Sequence, residues 1–227
     1  GVKIIEKGTF GECISLENIQ LSNNTTEIEE IAFYNCTSLK SIYLPDSLKK
    51  IGSAAFFNCS SLSTVNMPER IESVGGNVFD GTEVFENSVA DEYGSVYLGK
   101  VLLYNKGLND TVIVKDSTKI IANAAFINNY RLKEIKLPEG IIEIGDNCFE
   151  NCEALKKIDI KEGLKKIGEN SFAGAGVEEV KLPESIIEIG NGAFNNCKDL
   201  YDINLPSEIE SIAGYSLENT KYLNNIK

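Results

Sequence analysis

The sequence predicts an α/β solenoid, a stack of repeats with a parallel β-sheet on one face and short turns or helical segments on the other. Three observations lead to this prediction. A phenylalanine recurs about every 23 residues, apolar residues alternate in short strand-like strings, and proline or glycine marks where those strings end. Repeats of about 20 to 29 residues stack into solenoids because no single repeat can bury its apolar face alone.

The recurring phenylalanine defines eight repeats and a weaker ninth. Its positions are 23 residues apart in the first four repeats, and 23, 23 and 22 residues apart in the next four. In the ninth repeat a leucine takes its place. Because the period runs through the chain, we predict a single solenoid domain spanning residues 1–227. The repeat positions are Phe10, Phe33, Phe56, Phe79, Phe126, Phe149, Phe172, Phe194 and Leu217.

Each repeat contains a string such as Leu39-x-x-Ile42-x-Leu44, which predicts a short strand. Since side chains alternate between the faces of a strand, Ile42 and Leu44 should point inward, and the residues on either side of Ile42 should form an open face. A proline after the string suits a strand end, because proline cannot donate to the ladder. The Ile-Gly and Ala-Phe segment is expected to return along the opposite side as turns or one helical turn.

One interval departs from the period, because Phe79 and Phe126 are 47 residues apart, one more than two periods. Within it, two β-prone runs flank the dipeptide Gly99-Lys100. A two-residue Gly-x turn between such runs predicts a β-hairpin. We therefore place one hairpin insertion at about residues 86–110, with the repeat resuming after it.

The composition excludes most catalytic chemistry. The 227 residues include no histidine, which is the usual general base near neutral pH and the commonest metal ligand. Ser-His, Cys-His and His-metal catalysis are therefore impossible. The Gly174-Ala175-Gly176 segment is not a phosphate-binding loop, since it lacks a third glycine and a strand-to-helix context. We predict a protein that is not an enzyme, with no catalytic, metal-binding or cofactor-binding residues and no cofactor.

The charge balance restricts the partners. The chain has 34 acidic and 22 basic residues, a formal net charge of −12, and the basic residues are scattered. Nucleic acid and anionic membranes are therefore disfavoured, because binding a phosphate surface needs clustered basic side chains. No apolar run approaches the roughly 20 residues of a membrane span, so we expect no membrane insertion.

The six cysteines are predicted to be buried free thiols. Five stand three residues after the repeat phenylalanine, and Cys148 directly precedes one. Equivalent residues of stacked repeats lie about 4.8 Å apart, but their side chains point the same way and do not meet as a disulfide requires. A stacked row also fails to converge on a metal ion. The five are Cys13, Cys36, Cys59, Cys152 and Cys197.

An asparagine two residues after the phenylalanine recurs in five repeats and predicts a ladder of turn-forming side chains. Asn-x-Ser/Thr triplets, two of them on this ladder, would accept glycans only in a eukaryotic secretory pathway. The ladder positions are Asn35, Asn58, Asn128, Asn151 and Asn196.

The repeat string resembles a known family. Ile-Gly-x-x-Ala-Phe-x-x-Cys-x-x-Leu-x-x-Ile-x-Leu-Pro, as in residues 51–62 and 189–206, is similar to the BspA-type (bacterial surface protein A) leucine-rich repeat. The resemblance covers nearly the whole chain and implies a right-handed superhelix with its parallel sheet on the concave face. The hairpin looks like the long repeat common in that family. Ala175 in place of cysteine, and Ala122 and Ala213 in place of glycine, depart from the pattern.

The resemblance implies a secreted or surface-anchored bacterial protein, hence an extracellular or cell-surface location, with signal and anchor outside this sequence. The expected function is a non-enzymatic binding or adhesion scaffold. Its expected partner is a protein or glycan on a host or neighbouring cell. The alternative is a structural spacer that presents other domains of a larger surface protein. Neither chain end resembles a dedicated cap, so we also expect weak end-to-end self-association.

The candidate ligand contacts lie on the open face. From residue 132 onward, charges mostly alternate beside the strand isoleucine, which predicts cross-strand pairing and a poor ligand surface. In the first three repeats these positions are uncharged and suit hydroxyl-rich or peptide ligands, with a plain polar face as the alternative. An aromatic patch is predicted at Tyr34 and Phe57, with half-buried packing as its alternative. The polar positions are Asn18, Gln20, Ser41, Tyr43, Thr64 and Asn66.

Overall fold

A computed structural model describes residues 1–209 and 211–226 of the chain. The chain divides into two compact units, each described here by itself. Unit 1 comprises residues 1–89 and 97–100, and unit 2 comprises residues 90–96 and 101–227. The assignment of the whole chain to a single domain stays a prediction.

The described residues form short parallel strands in two rows, and most repeats contribute one strand to each row. The only helix among them is α1, Glu83–Glu86. The strands are β1 Ile4–Ile5, β2 Glu27–Ile28, β3 Ser41–Ile42, β4 Lys50–Ile51, β5 Thr64–Val65, β6 Ser73–Val74, β7 Ser95–Leu98, β8 Val101–Asn105, β9 Thr111–Ile113, β10 Ile120–Ile121, β11 Glu134–Lys136, β12 Glu143–Ile144, β13 Lys157–Asp159, β14 Lys166–Ile167, β15 Glu179–Val180, β16 Glu188–Ile189, β17 Asp202–Ile203 and β18 Asn225–Ile226.

Unit 1 contains two parallel sheets. One has four strands in the order β1-β2-β4-β6, and the other pairs β3 with β5. Equivalent repeat positions lie side by side, as Ile28 beside Ile51 and Ile42 beside Val65. Because the pairing joins identical positions, the 23-residue period itself sets the register of both sheets.

Unit 2 has the same construction with longer rows. Its two six-stranded sheets have the orders β16-β14-β12-β10-β8-β7 and β18-β17-β15-β13-β11-β9. The register again joins equivalent positions, as Ile144 beside Ile167 and Ile135 beside Ile158. The solenoid fold predicted from the repeat is therefore confirmed.

The repeat phenylalanines form the centre of the core. In unit 1 the ring centroids of Phe33 and Phe56 are 5.1 Å apart with planes 7° from parallel. In unit 2 the rings of Phe149 and Phe172 are also 5.1 Å apart. All four of these side chains are fully buried. Stacked rings at this spacing bury a large apolar area in every repeat, which makes the phenylalanine row the main source of stability.

The asparagine ladder occupies the turn after each phenylalanine. Asn58 Nδ2 donates to Asn35 Oδ1 at 2.7 Å, and Asn151 Nδ2 donates to Asn128 Oδ1 at 3.0 Å. These four residues have φ of 57°, in the left-handed region that asparagine tolerates better than most side chains. The predicted ladder is therefore present, and it combines a backbone requirement with a side-chain bond between repeats.

The cysteines are free thiols, and five of the six are buried. Within the buried row, Cys59 Sγ donates to Phe33 O at 3.0 Å, and Cys197 Sγ donates to Phe172 O at 3.0 Å. Cys13 is exposed, so the prediction of burial is wrong for this residue. The reason is its place in the first repeat, where no phenylalanine carbonyl of an earlier repeat lies against the thiol.

The second strand row was not expected from the sequence. The Ile-Gly segment forms short strands such as β4, where turns or a helical turn were expected, and the Ala-Phe segment that follows forms turns.

Strands β7 and β8 flank Gly99-Lys100, where the sequence predicts the hairpin turn. The buried amide of Asn105 donates to Tyr93 O at 3.0 Å and to Ser95 Oγ at 2.9 Å. This amide therefore ties β8 to the segment around the start of β7.

Candidate functional site

The open face of unit 1 is formed by the outward residues of β3 and β5. Ile42 is buried and fixes β3, so Ser41 and Tyr43 on either side of it point outward. Ser41 lies beside Thr64 in the sheet, and both are exposed. Tyr43 is 66% exposed. Within the described part of the chain, the side chains of Ser41, Tyr43 and Thr64 have no hydrogen-bond partner, so their polar groups are available to a ligand.

Asn18 and Gln20 extend this face by one repeat. Both are exposed, and Lys40 N donates to Glu17 O at 3.2 Å, which aligns the segment with β3. No strand is assigned to residues 17–21, all of which the structure describes. The two side chains therefore stand on a loop-like segment at the border of the face.

Asn66 differs from the other predicted contacts because its amide binds the main chain. Its Nδ2 donates to Leu44 O at 2.8 Å, and its Oδ1 accepts from Leu44 N at 2.8 Å. Asn204 makes the same pair of bonds to Leu182 in unit 2, at 2.8 and 2.7 Å. The shared geometry gives Asn66 a structural role between repeats and leaves one of its amide hydrogens for a ligand.

The aromatic pair Tyr34 and Phe57 is brought together as predicted by the repeat. Their ring centroids are 5.6 Å apart with planes 9° from parallel, and both side chains are half-buried. In the next repeat Asp80 takes the same position. Burial raises the pKa of its carboxyl group, and the nearby charge of Glu86 raises it further by a smaller amount. The pair therefore packs between repeats and exposes ring edges rather than a free flat surface.

The open face of unit 2 is charged, and several of its charges form ion pairs. Lys133 Nζ contacts Asp110 Oδ2 at 2.8 Å, and this contact lowers the pKa of the Asp110 carboxyl group. Some pairs run along one strand, as Lys181 with Glu179 at 3.3 Å, because residues two apart share a face. The prediction of cross-strand pairing beside the strand isoleucine is therefore wrong: in the described residues the ion pairs of these rows run along one strand, and Lys157 has none. The cross-strand contact of Lys133 with Asp110 lies one residue before these rows.

A depression of about 410 Å³ lies on this charged face. Its lining includes Lys156, which pairs with Glu178 at 3.7 Å and also with Asp199. Four of the charged groups in this lining already pair with one another, Lys156 with Glu178 and Lys181 with Glu179, so a ligand would compete with these ion pairs.

The buried cysteines have unreactive thiols. Burial raises the pKa of the Cys59, Cys152 and Cys197 thiols to about 12, so these cysteines are protonated at neutral pH and unreactive. In the described residues, no group of three or more cysteine, aspartate or glutamate side chains is arranged to hold a metal ion. The same part of the chain contains no helix with the length and hydrophobicity needed to cross a bilayer.

A second depression, at Gly174 in unit 2, was not among the predicted sites. It has a volume of about 470 Å³ and is lined by residues of three successive repeats. The sequence signal for it was the spacing of 22 residues between Phe172 and Phe194, together with Ala175 in place of cysteine.

The chain matches a protein-family model. Residues 1–97 and 118–227 match the model of the BspA type leucine rich repeat region, in six copies. The gap between the two matched ranges overlaps the β8 and β9 segment. No curated protein matches the chain.

Two solved structures resemble the fold. A leucine rich cell surface protein from Faecalibacterium prausnitzii superposes with a TM-score of 0.60 at 25% identity, over 100% of this chain and 69% of that one. The pneumococcal vaccine antigen PcpA superposes with a TM-score of 0.57 at 22% identity, over 89% of this chain and 60% of that one. The chain therefore spans less than two thirds of PcpA, and the second likeness shows the fold alone.

Proposed function

Because the chain belongs to the BspA-type leucine-rich repeat family, we propose that it is a non-enzymatic extracellular scaffold that binds a protein or glycan on another cell. Its repeat architecture provides long rows of equivalent outward positions, which suit contact with extended partners. The cell-surface relative from F. prausnitzii supports a location on a bacterial surface.

We assign the binding to the open face of unit 1. The observation that carries this assignment is the contrast in composition, since Ser41, Tyr43 and Thr64 are exposed and uncharged, whereas the equivalent positions of unit 2 are charged and some of them, such as Lys181 and Glu179, form ion pairs. Tyr43 adds a large exposed ring among hydroxyl groups, a combination that suits a hydroxyl-rich or peptide partner. Asn18 and Gln20 widen the same surface.

The test is capture of the protein on an array of glycans and extracellular-matrix proteins. We expect the double variant Tyr43→Ala, Thr64→Ala to reduce capture about tenfold or more while leaving thermal stability nearly unchanged, because both side chains are exposed. The matched control is Lys157→Ala, Asp159→Ala, at the equivalent positions of β13 in unit 2. Equal loss of capture in the control would contradict the choice of face.

The alternative function is a structural spacer for other domains of a larger surface protein. The ion pairs on the open face of unit 2 favour it, because charges that are satisfied internally have little affinity left for a ligand. A spacer would show no capture above background for any array component, with intact folding by circular dichroism. Saturable capture that depends on Tyr43 would exclude this alternative.

A further inference from the structure

We infer that the depression at Gly174 is a binding site for one neutral sugar ring, separate from the open face of unit 1. The site is formed where one repeat lacks two side chains that its neighbours have. Gly174 stands in line with Asn151 and Asn196 of the adjacent repeats, and Gly176 stands in line with Glu153 and Lys198. The depression is therefore one missing layer in a stacked row.

The dimensions of this gap match a six-membered sugar ring. Equivalent residues of adjacent repeats are about 4.8 Å apart, so the side chains on the two walls are separated by roughly twice that distance. A sugar ring that enters edge-on would replace the missing layer. The depression, at about 470 Å³, has room for one such ring with its ordered water.

The missing layer leaves a hydrogen-bond acceptor without its donor. Asn151 Nδ2 donates to Asn128 Oδ1, as elsewhere in the ladder. Its own Oδ1 points at the gap, since a methyl group placed on Gly174 would lie 2.7 Å from it. Within the described residues no group donates to Asn151 Oδ1, and Asn196 Nδ2 binds the neighbouring Asn195 Oδ1 instead. A ligand hydroxyl group would supply the absent donor.

The charges around the gap favour a neutral ligand. Asp199 is neutralised by Lys156. Glu153 and Lys198, which belong to opposite walls, have no ion-pair partner in the described part of the chain, and their charges sum to zero. The carboxylate can accept from hydroxyl groups and the ammonium can donate to them, so this pair suits a molecule that presents hydroxyl groups in both directions. A phosphate would be repelled by the negative charge of Glu153 on one wall, and an organic cation by the positive charge of Lys198 on the other.

The sharpest test fills the gap with the side chain that the ladder lacks. Gly174 has φ of 68°, close to the 57° of the ladder asparagines, so Gly174→Asn can adopt the local backbone. The contact it creates is with the end of the Asn151 side chain, which can rotate and accept from the new amide. Gly176 is unsuitable, because a methyl group there would lie 2.1 Å from the main-chain oxygen of Glu153.

The experiment is an NMR titration of the full chain with methyl α-glucopyranoside, methyl β-galactopyranoside and methyl N-acetyl-β-glucosaminide. We expect at least one of these to bind in the millimolar range, with affinity at least tenfold lower in Gly174→Asn. Lys198→Met should also weaken binding, since it removes one wall's donor. The matched control is Gly81→Asn in unit 1, which stands at the same ladder position beside Asn58 with φ of 71° and should leave affinity unchanged.

Binding of none of the three glycosides, or unchanged binding in Gly174→Asn, would overturn the proposal. Binding of calcium chloride alone would also overturn it in favour of a cation site. The variant Tyr43→Ala should leave the titration unchanged. Failure of the sugar site at Gly174 can therefore be distinguished from failure of the proposed binding face of unit 1.

Discussion

The open faces of unit 1 and unit 2 share a backbone and differ in what they expose. In β3 and β13 the isoleucine is buried and pairs in register with an adjacent repeat. The residues beside it are Ser41 and Tyr43 in one unit and charged in the other. The difference teaches that the inward positions determine the fold, while the outward positions vary without affecting it. Function therefore has to be argued from the outward rows.

The strongest challenge to this comparison is a substitution at an inward position in each unit. We expect Phe56→Ala in unit 1 and Phe149→Ala in unit 2 each to lower the free energy of unfolding by about 3–5 kcal/mol, because both rings are buried between two others. Urea denaturation followed by circular dichroism measures this. The half-buried Phe10 is the control, and its replacement by alanine should cost about half as much or less. Unequal losses in the two units would show that their cores are not equivalent.

The buried thiols should also behave alike in both units. The pKa of Cys59 and of Cys152 is raised by burial to about 12. Above the unfolded thiol pKa of about 8.5, the unfolded chain loses protons that the folded chain keeps, so stability falls as pH rises toward 12. Each thiol should contribute a decline of about 1.4 kcal/mol per pH unit in that window.

Urea denaturation at pH 8 and pH 10.5 provides the measurement for the thiols. Cys59→Ala and Cys152→Ala should each show a shallower decline than the unsubstituted chain. An identical decline in all three proteins would mean that the thiols ionise while folded. Exposed Cys13 should react rapidly with a thiol reagent at pH 8, and the other five only on denaturation.

The smallest effect is expected from the outward charges of unit 2. Lys133→Ala removes an exposed contact with Asp110 and should shift the melting temperature by about 2 °C or less. Because Lys133 lowers the pKa of Asp110, any stability it contributes is present at neutral pH and is lost as pH falls through that pKa. Calorimetry at pH 7 in low and high salt checks this, and a larger, salt-insensitive shift would indicate that the charged row supports the fold.

Much of the fold could be predicted because stacking makes equivalent residues meet. Phe33 and Phe56, or Asn35 and Asn58, are one period apart in sequence and therefore neighbours in space. The second strand row was missed because strands of two residues, such as β4, are too short to show alternation. Its only signal was the recurrence of Ile-Gly.

Individual hydrogen-bond partners could not be predicted from the period alone. The bonds of Asn105 to Ser95 and Tyr93 join residues within one insertion, where no repeat indicates a partner. The aromatic pair and the polar residues of β3 and β5 lie where the period placed them, but only the structure shows that the amide of Asn66 binds the main chain. The period predicts position, whereas hydrogen bonding depends on the neighbours present.

The ladder bonds have a consequence for how such a gene can change. Many side-chain bonds between repeats join residues 22, 23 or 26 positions apart, as from Asn204 to Leu182, Asn58 to Asn35 and Cys59 to Phe33. Recombination that duplicates or deletes one whole repeat therefore gives every residue a new neighbour of the same kind. Loss of a single codon inside a repeat has to be absorbed locally in a turn, as in the 22-residue spacing of Phe172 and Phe194, whose rings still stack at 5.1 Å. Natural variants should accordingly differ in length mainly by multiples of one repeat.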